Sequence, residues 1–311
     1  MPMNNIISDS ENYSFRLGIP DDLRKEYPII NMALLALTKI LQNDHLQKNF
    51  YPHFIPIDQY QYDYPKQVPE SIRAQIKQVF TDENLPRVIF QDDSQLFAIN
   101  DCSVYGLYNG RLLEQDENII YVNKESVPSL AENMDQQVKY AALILFTILH
   151  ELGHWTFYKF SCNLDEGKHT PCGILMEESG DAIEHLLFGF RIQHYGTAHP
   201  KFQIDDIIMK TSDMKQYRIV PSKYLYSLFQ AQTYENVTDL SSLRIPKNVS
   251  FSCLVLDEEL MKFQGKRVFD PVDELQLIST SKSVTIALDK RVFESCDKLF
   301  CGKVQNERSK T

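Results

Sequence analysis

Residues 138–160, VKYAALILFTILHELGHWTFYKF, carry the strongest structural signal in the chain. Residues 140–149 are almost wholly apolar and contain no Gly or Pro, so they predict a helix that is buried over most of its surface. Residues four apart lie on one face of a helix, so His150 and His154 can offer two imidazole nitrogens to a single ion. Glu151 follows the first of them. This spacing predicts a metal site on the helix.

The same three side chains indicate which chemistry the metal would serve. A tetrahedral zinc site that catalyses hydrolysis uses neutral nitrogen ligands, a nearby carboxylate for the proton of a bound water, and one open position. The alternative to a metal site is that the helix becomes polar here because its end has reached solvent. That interpretation explains neither the spacing of the two histidines nor the polar stretch that follows. His150-Glu151-Leu152-Gly153-His154 resembles the HExxH motif of the zincins, a group of zinc metallopeptidases.

Composition limits the possible functions. The chain has 311 residues and a formal net charge of −10, which argues against a nucleic-acid or membrane surface because both require clustered Lys and Arg. The first residues, MPMNNIISDSENYSF, lack a basic segment followed by an apolar one, so we expect no secretory signal and a cytoplasmic protein. Six cysteines without a CxxC pair do not indicate a disulfide scaffold.

Apolar spacing and turn residues divide the chain into three predicted regions, which can also form one continuous domain. They are an N-terminal helical region at 1–80, a zincin-like core at 81–200 and a C-terminal region at 201–311 that completes the cleft. Helices outside the core are predicted at 28–47, 69–80 and 284–299. Short β-type runs at 87–90, 95–99, 103–108 and 119–123 predict a small, mostly antiparallel sheet packed on the metal-binding helix. The predicted fold class is α+β, with additional helices at both ends.

The last strand before the helix is a candidate for substrate binding. The resemblance to zincins implies that a strand of the sheet runs along the cleft and pairs with an extended substrate. Ile119–Asn123 is the natural candidate, and the equally weighted alternative is that it is simply an edge strand of the core.

Two histidines hold zinc weakly, so a third protein ligand is expected. The residues after His154, WTFYKFSCNLDEGKH, exclude the metzincin extension, which needs further His and Gly at fixed offsets. A second predicted helix at 174–190 carries acidic residues instead. Over residues 118–190 the chain therefore resembles the gluzincins, in which a glutamate of a following helix is the third ligand.

Three glutamates compete for that position. Glu177 fits a gluzincin pattern in which a later aspartate, here Asp181, orients a ligand histidine. Glu178 borders the buried side of the predicted helix, whereas Glu177, Asp181 and Glu184 point away from it. The stretch Glu178-Ser179-Gly180 also resembles uncharacterised fungal zincin-like proteins. The small residues Ser179, Gly180 and Ala182 are expected to allow close approach to the first helix. We assign Glu178, with Glu177 as the alternative and Glu184 third.

The predicted function is a zinc-dependent metallopeptidase or related amide hydrolase that uses one Zn²⁺ ion and acts on a peptide or protein. Glu151 is its general base, and His194, Tyr195 and Tyr217 are open candidates for stabilising the oxyanion. One alternative is a non-catalytic zinc-binding protein of the same fold that serves as a binding or regulatory module. Another is a secreted or delivered toxin-like protease, which only the three N-x-S/T sequons and the pair Cys162 and Cys172 favour.

Overall fold

The computed structural model describes residues 15–56, 68–92, 98–99, 102–103, 105–108, 118–124, 127, 133–162, 179–197, 203–210, 216–245, 255–256, 277–278 and 286–287. Within these ranges the fold is α+β, as predicted. Its strand pairs are antiparallel with one parallel exception among the described strands.

The N-terminal part is helical. It contains α1 (Asp21–Glu26), α2 (Pro28–Gln42), a 3-10 helix (Gln47–Phe54) and α3 (Glu70–Val79). Proline is tolerated at the start of α2 because the first N–H groups of a helix have no partner within it. α2 ends before the predicted residue 47, since the Asn43 side chain accepts hydrogen bonds from the N–H groups of His45 and Leu46, at 2.9 and 3.2 Å.

The central sheet places the predicted substrate strand in an unexpected position. Its strands are β1 (Arg87–Gln91), β4 (Gly106–Tyr108) and β5 (Ile119–Asn123), and β2 (Ala98–Ile99) and β3 (Cys102–Ser103) form a separate pair. β5 lies in the middle, parallel to β1 and antiparallel to β4. The prediction that Ile119–Asn123 lies open along the cleft is therefore wrong, and so is the alternative that it is an edge strand. Strand order depends on crossover connections, which local patterns do not encode.

The helix that carries His150 and His154 lies at the centre of the described part of the molecule. α4 (Met134–Phe157) begins where the Asn133 side chain accepts a hydrogen bond from the N–H of Gln136, at 3.0 Å, and continues into a π-helical turn (Tyr158–Cys162). Between residues 138 and 157 every residue is buried except His150 and His154. The helix is thus surrounded by protein on all sides except at the two histidines.

A second helix and a meandering sheet follow. The helix is α5 (Ser179–Phe188), and the sheet contains β6 (Arg191–Thr197), β7 (Gln203–Lys210), β8 (Gln216–Ile219) and β11 (Ile286–Ala287). Two short helices, α6 (Ser222–Ser227) and α7 (Ala231–Glu235), follow β8, and β9 (Val255–Leu256) and β10 (Leu277–Ile278) form a separate pair. β11 pairs with β8, which contradicts the helix predicted at 284–299 for the described part of that range. The β-branched sequence Val284-Thr285-Ile286 favours strand geometry, which explains the error.

One hydrophobic cluster connects these elements. It includes residues from Phe15 to Leu243, and side chains of α2, β5, α5 and β7 belong to it together with those of α4. No helix in the described part of the chain is long and apolar enough to cross a bilayer.

Candidate metal centre

The two histidines of α4 bring one nitrogen each to a common point. Their Nε2 atoms lie 3.3 Å apart, and 22% of the His150 side chain is exposed. Two nitrogen ligands at about 2.0 to 2.1 Å from one tetrahedral ion lie about 3.3 to 3.4 Å from each other. The spacing therefore fits a shared zinc ion, and neutral imidazole is a donor that zinc favours.

The other nitrogen of each ring has a hydrogen-bonding partner on α5. His150 Nδ1 lies 2.8 Å from Glu184 Oε1, and His154 Nδ1 lies 2.9 Å from Ser179 Oγ. An ionised carboxylate only accepts hydrogen bonds, so neutral His150 carries its proton on Nδ1 and directs the lone pair of Nε2 toward His154. A serine hydroxyl can accept a hydrogen bond from the second ring in the same way. Both contacts hold the Nε2 atoms in position for a metal.

Glu184 and Asp181 are buried, each with 4% of its surface exposed, so the prediction that they point away from the buried side is wrong. The helical layout counted only the apolar side of α5 as buried, whereas polar groups of α4 and β6 cover these two carboxylates. Glu184 Oε2 accepts a hydrogen bond from the N–H of Ile192 at 2.7 Å, and Asp181 Oδ2 lies 3.0 Å from Arg191 Nη1. The expected role of Asp181, orienting a ligand histidine, falls instead mainly to Glu184, since Asp181 Oδ1 is 3.6 Å from His150 Nδ1.

Two glycines bring α4 and α5 together at the site. A Cβ atom added to Gly180 would lie 2.6 Å from the His150 ring, and one added to Gly153 would lie 2.7 Å from the carbonyl oxygen of Ser179. Both distances are too short for any side chain. The expectation that small residues allow the second helix to approach the first is confirmed at Gly180.

The predicted base, Glu151, is held by the outer strand of the sheet. It is 6% exposed, and its Oε2 accepts a hydrogen bond from the N–H of Tyr108 at 2.6 Å. β4 reaches this position because residue 106 is a glycine, whose added Cβ would lie 2.6 Å from Thr147 and 3.0 Å from Glu151. This contact was not predicted, although a glycine inside a strand is a known sign of close backbone approach.

The proposed third ligands, Glu178 and Glu177, lie outside the described residues. Among the described residues, a different group could also hold a cation: ligand atoms of His150, Asp181 and Glu184 lie within 4.8 Å of one another. It uses Nδ1 rather than Nε2 of His150 and leaves out His154. We favour the Nε2 pair, because Ile192 and Arg191 already contact the two carboxylates.

The oxyanion candidates lie on the sheet that follows α5. His194 and Tyr195 belong to β6, next to a bulge between Tyr195 and Gly196, and Tyr217 belongs to β8. Their side chains are outside the described part of the structure. Tyr158, which was not among the predicted candidates, is the first residue of the π-helical turn after α4 and is partly exposed, as is His154. Its ring centroid lies 6.0 Å from that of Tyr108.

An α+β fold that pairs two histidines on one helix beside a glutamate is typical of metal-dependent peptidases. Comparison with family models agrees, because the model of the metallopeptidase toxin 3 family matches residues 24–189. This is slightly more than half of the 311-residue chain, and the protein belongs to that family. Neither the curated proteins nor the solved structures gave a match.

Family membership supports a metal-dependent, peptidase-like function and implies a metal ion and protein or peptide substrates. The matched segment includes α4, α5 and the central sheet. It ends just before Arg191 and Ile192, the two residues of β6 that contact the carboxylates of α5.

Proposed function

We propose that the protein is a zinc-dependent peptidase. His150, His154 and a glutamate that precedes α5, Glu178 or alternatively Glu177, hold one Zn²⁺ ion, and Glu151 is the general base. The observation that carries the proposal is the 3.3 Å separation of the two Nε2 atoms, with Glu151 next to His150 on the same helix. The toxin designation of the family makes a protein of a target cell the natural substrate class.

The bound zinc ion would lower the pKa of a water molecule to about 7 and polarise the peptide carbonyl. Glu151 would accept the proton of that water and donate it to the leaving amine, a contribution of about 10²- to 10⁴-fold to the rate. The N–H of Tyr108 holds Oε2 of Glu151 and thereby fixes the direction of the carboxylate. Glu184 and Ser179 keep the imidazoles oriented throughout.

The outer strand β4 is the better candidate for aligning an extended substrate. The outer side of β1 is covered, since the N–H of Val88 donates to the carbonyl of Leu17 at 2.8 Å. β5 is paired on both sides, so among the described strands of this sheet β4 has the remaining edge, and it contacts Glu151. A peptide that pairs with this edge would lie close to the base.

One observation favours the non-catalytic alternative. Glu151 is buried, and its bond to Tyr108 also ties β4 to α4, which a purely structural carboxylate would do. In that case the ion would be retained for structure, and the protein would act as a binding module.

The two functions are separated by comparing the parent protein with Glu151→Gln and His150→Ala. Glutamine keeps an oxygen for the N–H of Tyr108 but cannot accept a proton, so we expect Glu151→Gln to retain zinc and to lose peptide cleavage by at least about 100-fold. His150→Ala should lose both. Zinc content by mass spectrometry and cleavage of unfolded protein substrates provide the readouts.

Equal cleavage by the parent and by Glu151→Gln would exclude Glu151 as the base. The third ligand is tested by comparing zinc content in Glu178→Gln and Glu177→Gln. Loss of zinc in Glu178→Gln alone agrees with our assignment, and loss in Glu177→Gln alone transfers the role to Glu177.

A further inference from the structure

Two possible donor sets share His150. The outer nitrogen pair consists of the Nε2 atoms of His150 and His154, 3.3 Å apart. The inner donor set consists of His150 Nδ1, Asp181 and Glu184, whose ligand atoms lie within 4.8 Å of one another. Carboxylates are strong ligands for divalent cations, so side-chain chemistry alone does not explain why a cation would choose the outer pair.

A fixed positive charge distinguishes the two sets. Arg191, the first residue of β6, places Nη1 3.0 Å from Asp181 Oδ2. The exposed fractions of the two side chains are only 13% and 6%. A guanidinium group stays charged at any pH at which proteins fold, and charges in a poorly solvated environment interact strongly.

We propose that Arg191 is a positioning residue that selects the nitrogen of His150 to which the metal binds. This inference rests on the proposed function. The guanidinium repels a divalent cation from the inner donor set and compensates the charge of Asp181. Glu184, whose Oε2 is occupied by the N–H of Ile192, then accepts the Nδ1 proton of His150 instead of binding metal. Nε2 of His150 is left for the ion.

This role extends the functional unit beyond the segment that the family model matches. That segment ends at residue 189, whereas Arg191 and Ile192 belong to the strand that follows. The strand β6 thus contributes the charge of Arg191 and the backbone N–H of Ile192 to the surroundings of the proposed metal site.

The test measures how strongly zinc affinity depends on His154 in different backgrounds. His154→Ala is introduced into the parent, into the neutral variants Arg191→Gln and Arg191→Met, and into Arg191→Lys, which keeps the charge. Affinity for Zn²⁺ alone is determined by competition with a chromophoric chelator, and folding is checked by circular dichroism. Arg244→Gln is the matched control, because the Arg244 guanidinium donates hydrogen bonds to the carbonyl oxygen of Leu186 at the end of α5 rather than to a carboxylate beside His150.

We expect His154→Ala to lower zinc affinity at least about 100-fold in the parent, in Arg191→Lys and in Arg244→Gln. In Arg191→Gln or Arg191→Met, the inner donor set becomes available, so the same change should lower affinity less than about 10-fold. An equal loss in every background would overturn the role of Arg191 and leave the proposed function intact.

Two further outcomes are decisive. If His154→Ala leaves the zinc affinity of the parent unchanged, the outer nitrogen pair is not the metal site and the proposed function itself fails. If neither neutral variant folds while Arg191→Lys does, Arg191 has a structural role and the proposal is overturned.

Discussion

At the scale of single residues, the chemistry of each histidine depends on the atom at the far side of its ring. Glu184 and Ser179 contact the Nδ1 atoms of His150 and His154, at 2.8 and 2.9 Å, so both Nε2 atoms are presented to the same point. Such partners commonly change metal affinity 10- to 100-fold. The site therefore depends on α5 as much as on the motif in α4.

Gly180 is the residue of α5 at which a substitution should disturb the metal site most. We expect Gly180→Ala to displace the His150 ring, because the new Cβ would lie 2.6 Å from it, and to lower zinc affinity at least about 10-fold. The strain should also lower the free energy of unfolding by about 1 to 3 kcal/mol. Chelator competition and urea denaturation measure the two effects.

Ala182→Gly is the control for that substitution. It lies on the same buried helix, and the loss of helix propensity costs about 1 kcal/mol of stability. It adds no atom near His150, so zinc affinity should not change. Zinc affinity lowered equally by both substitutions would show that general destabilisation of α5, and not the contact with His150, is responsible.

At the scale of elements, a charged cluster attaches the start of α4 to β7. Lys139 Nζ lies 3.0 Å from Asp135 and 3.2 Å from Asp206, and it donates to the carbonyl oxygen of Asp205 at 2.6 Å. Burial alone would lower the pKa of Lys139, but the two carboxylates raise it above its usual value. Burial raises the pKa of Asp206, and Lys139 opposes that rise.

We expect Lys139→Met to lower the free energy of unfolding by about 3 kcal/mol at pH 7, because it leaves the partly buried Asp206 without this cation. The double variant Lys139→Met/Asp206→Asn should regain most of the loss. Urea denaturation of the four proteins of this cycle gives the coupling energy. A double variant as unstable as Lys139→Met would show that the lysine acts through its packing.

The same cluster predicts a pH dependence. A carboxyl whose pKa is raised in the folded state favours folding while it is protonated, and this contribution is lost as the pH increases from 3.8 through the raised pKa. Because Lys139→Met removes the opposing cation, the loss of stability with increasing pH should become steeper and extend to higher pH. Asp206→Asn should abolish this component in urea denaturation measured from pH 4 to 7.

At the scale of the whole molecule, the metal would connect parts of the chain that are distant in sequence. The proposed ligands come from α4 and from the segment before α5, and both helices contribute to one hydrophobic cluster with α2 and β7. A ligand that binds only the folded state stabilises it by about 4 kcal/mol at a concentration 1,000 times its Kd.

Zinc removal should therefore lower the melting temperature of the parent by about 6 °C, since an unfolding entropy of about 2.1 cal/mol/K per residue makes 1 kcal/mol correspond to about 1.5 °C in a chain of 311 residues. Calorimetry with and without a chelator tests the prediction. His150→Ala, which lacks a ligand, should melt at the same temperature in both conditions. An unchanged melting temperature for a parent that has lost its zinc would contradict the connecting role.

The part of the site that could be predicted lies within one helix. Helix geometry alone brings His150 and His154 together, because they are four residues apart. The apolar residues before them predict a buried helix. The burial of Glu184 could not be predicted, because its contact with Ile192 joins α5 to a strand whose position depends on the chain turning back. The contact of Glu151 could not be predicted for the same reason, since the N–H group that it binds belongs to β4.

The α+β class, the buried helix and the pairing of two imidazoles were predictable from the sequence, because they follow from interactions between residues a few positions apart. The central position of β5, the contact of β4 with Glu151 and the positions of Glu184 and Arg191 near His150 became apparent only in the folded chain. These features arise from contacts between segments far apart in the chain, and their geometry is set by how helices and strands pack around a shared core.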